Sequence, residues 1–181
     1  QCRKAMKQEG RDYDYPQLIK MATSAKPFEA FIDIDDSSFL NPENMCKAIE
    51  LYCQKTNQTF PEDDGQMARV VLESLAMKYR LTLAELREFK EIEEIYITGG
   101  GIHNELLCQF TANACNLPLI ATFAEGSAAG NLMAQALGAG KVKSQKEIRE
   151  IMAASCSPKT YMPDDSIIWQ EAFRKYLSII K

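Results

Sequence analysis

The residues whose types and spacing could do chemistry lie in one run, Ile95 to Asn104, which reads I-Y-I-T-G-G-G-I-H-N. Ile95, Tyr96 and Ile97 read as a short apolar strand that empties into Gly99, Gly100 and Gly101, and a helical stretch, Glu105 to Cys115, follows at once. Consecutive glycines let a backbone turn sharply and leave no side chains between it and a ligand. The start of a helix presents N–H groups without intrahelical partners and a partial positive charge. A strand, a bare turn and a helix N-terminus together make a seat for a nucleotide.

Other residues that invite a chemical reading have simpler ones. His103, the sole histidine, tempts as a base, yet a partly solvated first-turn residue accounts for it. Asp33-Ile34-Asp35-Asp36 suggests a metal loop, but Ser38 and Asn44 stand where a calcium loop needs its glycine and its last carboxylate, so a solvated turn is expected. The six cysteines form no C-x-x-C, and Cys46/Cys53 and Cys108/Cys115 are each seven apart. On helices that spacing puts both members on one face, two turns apart and too far to bridge, so buried small hydrophobes are expected. Trp169 reads as packing, Glu62-Asp63-Asp64 as a solvated turn, and Glu125 as a charge at a helix start.

The elements that must position the glycine run follow from punctuation and periodicity. Gln1 to Gln8 reads as the last turns of a helix stopped by Gly10, which suggests a cut at this end. Tyr15 to Ala25 is a short helix with Pro16 in its first turn, and Phe31 to Asp35 an extended piece. Asn41-Pro42 reads as cap and first residue of a helix to about Lys55. A long helix is expected from about Gly65 to Phe89, with Asp63 and Gln66 as a capping box and Ala68, Val70, Val71, Leu75, Tyr79, Leu83 and Leu86 as its apolar stripe. Asn116 suits a left-handed cap, and Pro118 to Thr122 a second buried strand parallel to the first. Ser127 to Leu137 is a helix of small residues suited to close packing on a sheet, and helices over 144–154 and 165–179 close the chain.

Bulk properties narrow the classes. The 181 residues suffice for one domain or part of a larger one, with 46% hydrophobic and 25% charged residues. A net charge of −4 with scattered lysines and arginines argues against a nucleic-acid partner. No apolar run reaches the length of a membrane span and no signal peptide is read, so a cytoplasmic setting and no membrane partner are the expectation.

Two readings of the glycine turn compete. In a dinucleotide fold, Gly99 and Gly101 give G-x-G and Glu125 lies where a ribose-binding acid belongs, but Asn104 occupies the third glycine position. The alternative is the adenosine turn of the actin-like ATPase superfamily, and here the similarity extends well beyond the turn. Ile97 to Gln109, with three glycines followed by x-x-N-x-L-L-x-Q, resembles the adenosine motif of FGGY-family carbohydrate kinases, in the form found in rhamnulokinases. Ala112 to Pro118 resembles their A-x-A-C-G-x-P, and Glu125 to Asn131 their E-A-(S/T)-x-x-G-N. Asp35-Asp36 and Phe39 to Met45 resemble an acidic pair and F-x-N-P-x-x-M, so the similarity spans about residues 28–165 in order.

The resemblance implies an α/β, helix-rich part of a ribonuclease-H-like (actin-like ATPase) domain lacking its N-terminal strands. Residues 1–181 would be the C-terminal ATP-binding domain of a sugar kinase using Mg2+ and ATP, with the sugar-binding domain and its general-base aspartate absent. Carried over by position, Gly100 and Asn104 match nucleotide contacts, while Gly99 and Gly101 shape the turn. Gly100 would lie flat against the purine or ribose, and Asn104 can offer a donor and an acceptor to the nucleoside. A ligand-free tight turn remains the alternative for Gly100, and a helix cap for Asn104. The partners implied are a sugar, ATP and the missing half of the kinase, or self-association in its place. A non-catalytic nucleotide-sensing domain of the same superfamily stays open, separated by what precedes Gln1.

Overall fold

The structure, a computed structural model, describes residues 1–180. In chain order its elements are α1 (Cys2–Gln8), α2 (Tyr15–Ser24), α3 (Met45–Lys55), α4 (Asp64–Arg87), β1 (Ile95–Ile97), α5 (Glu105–Cys115), β2 (Leu119–Ala121), α6 (Gly126–Gly138), α7 (Gln145–Ala154), β3 (Lys159–Tyr161) and α8 (Ser166–Ile179). Short 3-10 turns cover Ser37–Phe39 and Gly100–His103.

Helix α4 is the spine. Its first half is buried almost all round, with Met67, Val70, Ser74 and Met77 forming the innermost line. At Gly65 it passes so close to α2 that a Cβ would lie 3.0 Å from the Met21 backbone. Asp63 caps it by accepting from the Gln66 N–H at 2.8 Å. The expected box is not closed: the Gln66 side chain donates to the Lys26 carbonyl instead, tying down the segment after α2. Nor is Asp64 solvated, since it is buried and paired with Arg11.

A buried ion pair fixes α2 on this spine. Arg69 Nε donates to Glu73, whose side chain is wholly buried, at 2.7 Å. Arg69 Nη1 also donates to the carbonyls of Ala22, Thr23 and Ala25, which the end of α2 leaves without helical partners. Glu73 accepts from the Phe28 N–H at 2.9 Å, while Lys175 of α8 donates to the carbonyls of Phe28 and Glu29. Burial pushes the Glu73 carboxyl above its ordinary range, and the Arg69 guanidinium opposes that push.

The extended piece after Pro27 joins no sheet. Side chains take the place of a neighbouring strand: the Phe31 N–H donates to Gln58, the Gln58 amide to the Phe31 carbonyl, and the Ile32 N–H to Ser74. Helix α3 begins later than Asn41-Pro42 implies, because Asn44, not Asn41, accepts from the N–H three residues on. Trp169 packs as expected, with Phe28 and Phe110 rings 4.9 and 5.2 Å away. The cysteines of α3 and α5 are free and buried, and burial pushes the Cys53 and Cys115 thiols up to about 11, leaving them protonated near neutrality.

The sheet has three strands in the order β1-β2-β3. The β1–β2 pairing is parallel as expected, with Ile95 opposite Leu119 and Ile97 opposite Ala121. Strand β3 pairs antiparallel to β2, Leu119 opposite Tyr161, and Lys159 to Tyr161 carries no signal that periodicity could read. Ile95 N–H and Ile97 C=O bond to the β2 side, so the backbone groups of Tyr96 between them face an open edge. Beside that edge the sequence-read stripe of α4 emerges: Tyr79, Leu83 and Leu86 line, with Ile95 and Ile97, an apolar groove of about 630 Å³. Helix α6 departs from expectation, for none of its residues is buried. Among the described residues no helix is long and apolar enough to cross a membrane.

Removing one partner of a buried pair leaves an uncompensated charge, at a cost of about 3–5 kcal/mol. Glu73→Ala is therefore expected to lower the melting temperature sharply by circular dichroism, whereas Glu29→Ala, which removes the half-buried partner of the exposed Lys26, should shift it little.

Candidate nucleotide site

The site is built where β1 ends. Gly99 has φ of 87°, a left-handed conformation that favours glycine, and its N–H donates to the Phe123 carbonyl at 2.8 Å. Thr98 Oγ1 donates to the same carbonyl at 2.9 Å. The loops after β1 and β2 are thus stitched together at their tips. Gly126 makes this possible, because a Cβ there would lie 1.9 Å from Thr98 Oγ1.

The chain does not pass straight from the glycines into α5. Gly100 to His103 form a 3-10 turn, closed by the Ile102 N–H on the Gly99 carbonyl at 3.2 Å and the Asn104 N–H on the Gly101 carbonyl at 3.1 Å. Asn104 then caps α5, its Oδ1 accepting from the Leu107 N–H at 3.0 Å. The cap uses the acceptor of the side chain and leaves the amide N–H groups as donors, so only half of its expected repertoire is available to a nucleoside. Helix α5 is anchored beneath by Cys108 and Ala112, both fully buried against the sheet, and ends at Asn116 with the left-handed φ of 50° expected from sequence.

The three glycines have different reasons to be glycine. Gly99 needs its positive φ. Gly101 is crowded, since a Cβ would meet Ile97 Cδ1 at 3.3 Å. Gly100 has neither constraint: its φ is not in the left-handed region, and a Cβ would meet nothing within 4 Å. Yet Gly100 is the one that lines a cavity of about 780 Å³, with His103, Asn104 and Glu105 beside it. That volume is in the range of small-molecule sites. Gly99 and Gly101 do not line it.

The opposite wall comes from α2, through Tyr15, Pro16, Ile19 and Lys20. Periodicity reads α2 as a helix but carries no information that it folds over a turn some eighty residues away. The one local signal is the start of α2, where Asp14 and Gln17 close a reciprocal capping box. His103 is exposed in the 3-10 turn, and Glu125 sits at the N-cap of α6, exposed and without a side-chain cap bond. Among the described residues no cluster of three or more metal-ligating side chains occurs.

Known proteins resemble this chain in sequence and in fold. The C-terminal domain of the FGGY family of carbohydrate kinases matches residues 1–139. A rhamnulokinase of Bacteroides thetaiotaomicron is 40% identical over 172 residues, covering 94% of this chain and 36% of that protein. A rhamnulokinase of Bacillus subtilis is 38% identical over 156 residues, covering 85% and 32%. The chain thus spans about a third of the length of these relatives. Among solved structures, a xylulose kinase from Rhodospirillum rubrum superposes with a TM-score of 0.65 at 17% identity, over 91% of this chain and 33% of that one. A gluconate kinase from Lactobacillus acidophilus does so with 0.63 at 19%, over 93% and 35%. At such identities the likeness establishes the fold, which is that of the helix-rich α/β, actin-like ATPase sugar kinases.

A methyl forced into the space of Thr98 should separate the two loop tips. Gly126→Ala is expected to destabilise the chain by ~1–3 kcal/mol in denaturant unfolding, and Thr98→Ala in the same background, which removes the hydroxyl the new methyl would strike, should recover only part of it, since Thr98 Cβ also lies 3.1 Å away. Asn104→Ala should cost about 1 kcal/mol through the lost cap.

Proposed function

The chain belongs to the FGGY family of carbohydrate kinases, and we propose that its 181 residues are the ATP-binding half of a larger sugar kinase. The observation that carries the reading is Gly100. Neither backbone conformation nor packing demands a glycine there, and its bare backbone faces a cavity of nucleotide size. A purine or ribose lying flat on that backbone supplies the missing reason. Asn104 Nδ2 would donate to the nucleoside while its Oδ1 keeps the helix capped.

The intact protein would transfer the γ-phosphoryl group of Mg·ATP to the 1-hydroxyl of L-rhamnulose or a related ketose, a substrate class supported by the rhamnulokinases among its relatives. In phosphoryl transfer the protein chiefly positions the two reactants and offsets developing charge. Mg2+ would arrive on the triphosphate, as this cation commonly does. The sugar and the aspartate that accepts its hydroxyl proton would belong to a domain outside this chain. Closure of that domain over the glycine turn would exclude water from the transfer.

The open edge of β1 and the apolar groove beside it fit the same division. Their occupant would be strands of the parent protein preceding this segment, adding to the Tyr96 edge and covering Tyr79 and Leu86. The reading that removes catalysis and keeps nucleotide sensing differs only in what that preceding part contains.

Three outcomes are expected. Calorimetry should detect a non-hydrolysable ATP analogue binding to the 181-residue chain, and Gly100→Val should weaken it by about tenfold or more without moving the melting temperature, on the scale of one lost base contact. The chain alone should show no phosphoryl transfer to L-rhamnulose; robust turnover would refute the division of labour. Light scattering should show self-association of the isolated chain, and a monodisperse, highly stable monomer would count against an uncovered sheet edge.

A further inference from the structure

We infer that the first two turns of α2 are the second wall of the nucleotide cleft, and that Tyr15 and Ile19 take the opposite face of the base from Gly100. This rests on the nucleotide reading of the glycine turn and assigns the residues that complete it. Helix α2 is apolar on two sides. Leu18 and Ala22 face inward and are buried, as an amphipathic helix requires. Tyr15 and Ile19, four residues apart and so stacked on one face, line the cavity instead. Tyr15 remains 69% exposed, a large aromatic surface on the cavity wall.

That surface is held in place before any ligand arrives. The Arg3 guanidinium lies 5.0 Å from the Tyr15 ring centroid, and Arg3 Nε is anchored on the Tyr13 carbonyl at 2.5 Å. Pro16 and the Asp14–Gln17 capping box fix the backbone beneath. A ring so positioned loses little entropy when a flat ligand stacks on it. Across the cavity Gly100 presents bare backbone, while Asn104, His103 and Glu105 are the polar residues beside it. Contact through the two faces of a purine is what this cleft is shaped to provide.

The test is calorimetric titration of the 181-residue chain with a non-hydrolysable ATP analogue. Tyr15→Ala should weaken binding by about five- to a hundredfold, the range for loss of one base–aromatic stack, with an unchanged melting temperature. Tyr15→Phe should bind like the wild type, since the face and not the hydroxyl is used. Ile167→Ala, an equally exposed apolar truncation on α8, should have no effect. Should Gly100→Val abolish binding while Tyr15→Ala and Ile19→Ala leave it intact, the α2 wall is wrong and the glycine turn stands. Should Gly100→Val bind like the wild type, or the chain bind no nucleotide, the reading of the turn fails and takes the wall with it.

Discussion

The Arg69–Glu73 pair is the interaction on which the cleft depends. A carboxylate with no solvent contact is costly to keep charged unless it is paired and hydrogen-bonded, and Glu73 accepts from Arg69 on one oxygen and from the Phe28 N–H on the other. The other half of the pair spends its donors on the carbonyls at the end of α2. A buried charge is thereby converted into a rigid bracket between α2 and α4. Helix α2 has ten residues and one buried face, too little to fix its position by propensity. The bracket at one end and the capping box at the other hold it where Tyr15 and Ile19 look across at Gly100. The glycine turn sits on α5, and α5 packs on α4 through a shared core that includes Met77, Leu107 and Phe110. Both walls of the cavity are therefore referred to one spine.

Within the turn, the three adjacent glycines separate three physical demands that a sequence motif merges. Backbone conformation claims Gly99, packing bears on Gly101, and neither claims Gly100, which the proposed nucleotide would. Gly126 answers a fourth demand, the crossing of Thr98 under the second loop.

Much of this was legible in the sequence, and the misses have physical causes. The strand, turn and helix from Ile95 to Cys115 follow from local rules, as do Asn116 and the parallel pairing of β1 with β2. Asn41 and Asn44 both precede helical residues, and propensity alone does not choose between them; the bond from Lys47 does. Asp64 looks solvated in an acidic run because its partner, Arg11, is fifty-three residues away. The α2 wall was invisible for the same reason. Lys159 to Tyr161 has one buried side chain, so β3 exists through its backbone bonds to β2 and not through a pattern.

The α4 stripe teaches something different. Its apolar positions follow helical spacing, yet Tyr79 is 42% and Leu86 51% exposed, and the deepest line of the helix runs through Met67, Ser74 and Met77 instead. Periodicity reports which side chains are designed to be covered, and the structure reports which this chain covers by itself. The two disagree along one face, next to a strand whose outer edge has no partner. Helix α6, rich in small residues and without a buried one, repeats the disagreement elsewhere. A face coded for burial and left open is information about a neighbour. Under the proposal that this chain is the ATP-binding half of a larger kinase, that neighbour is the remainder of the same protein.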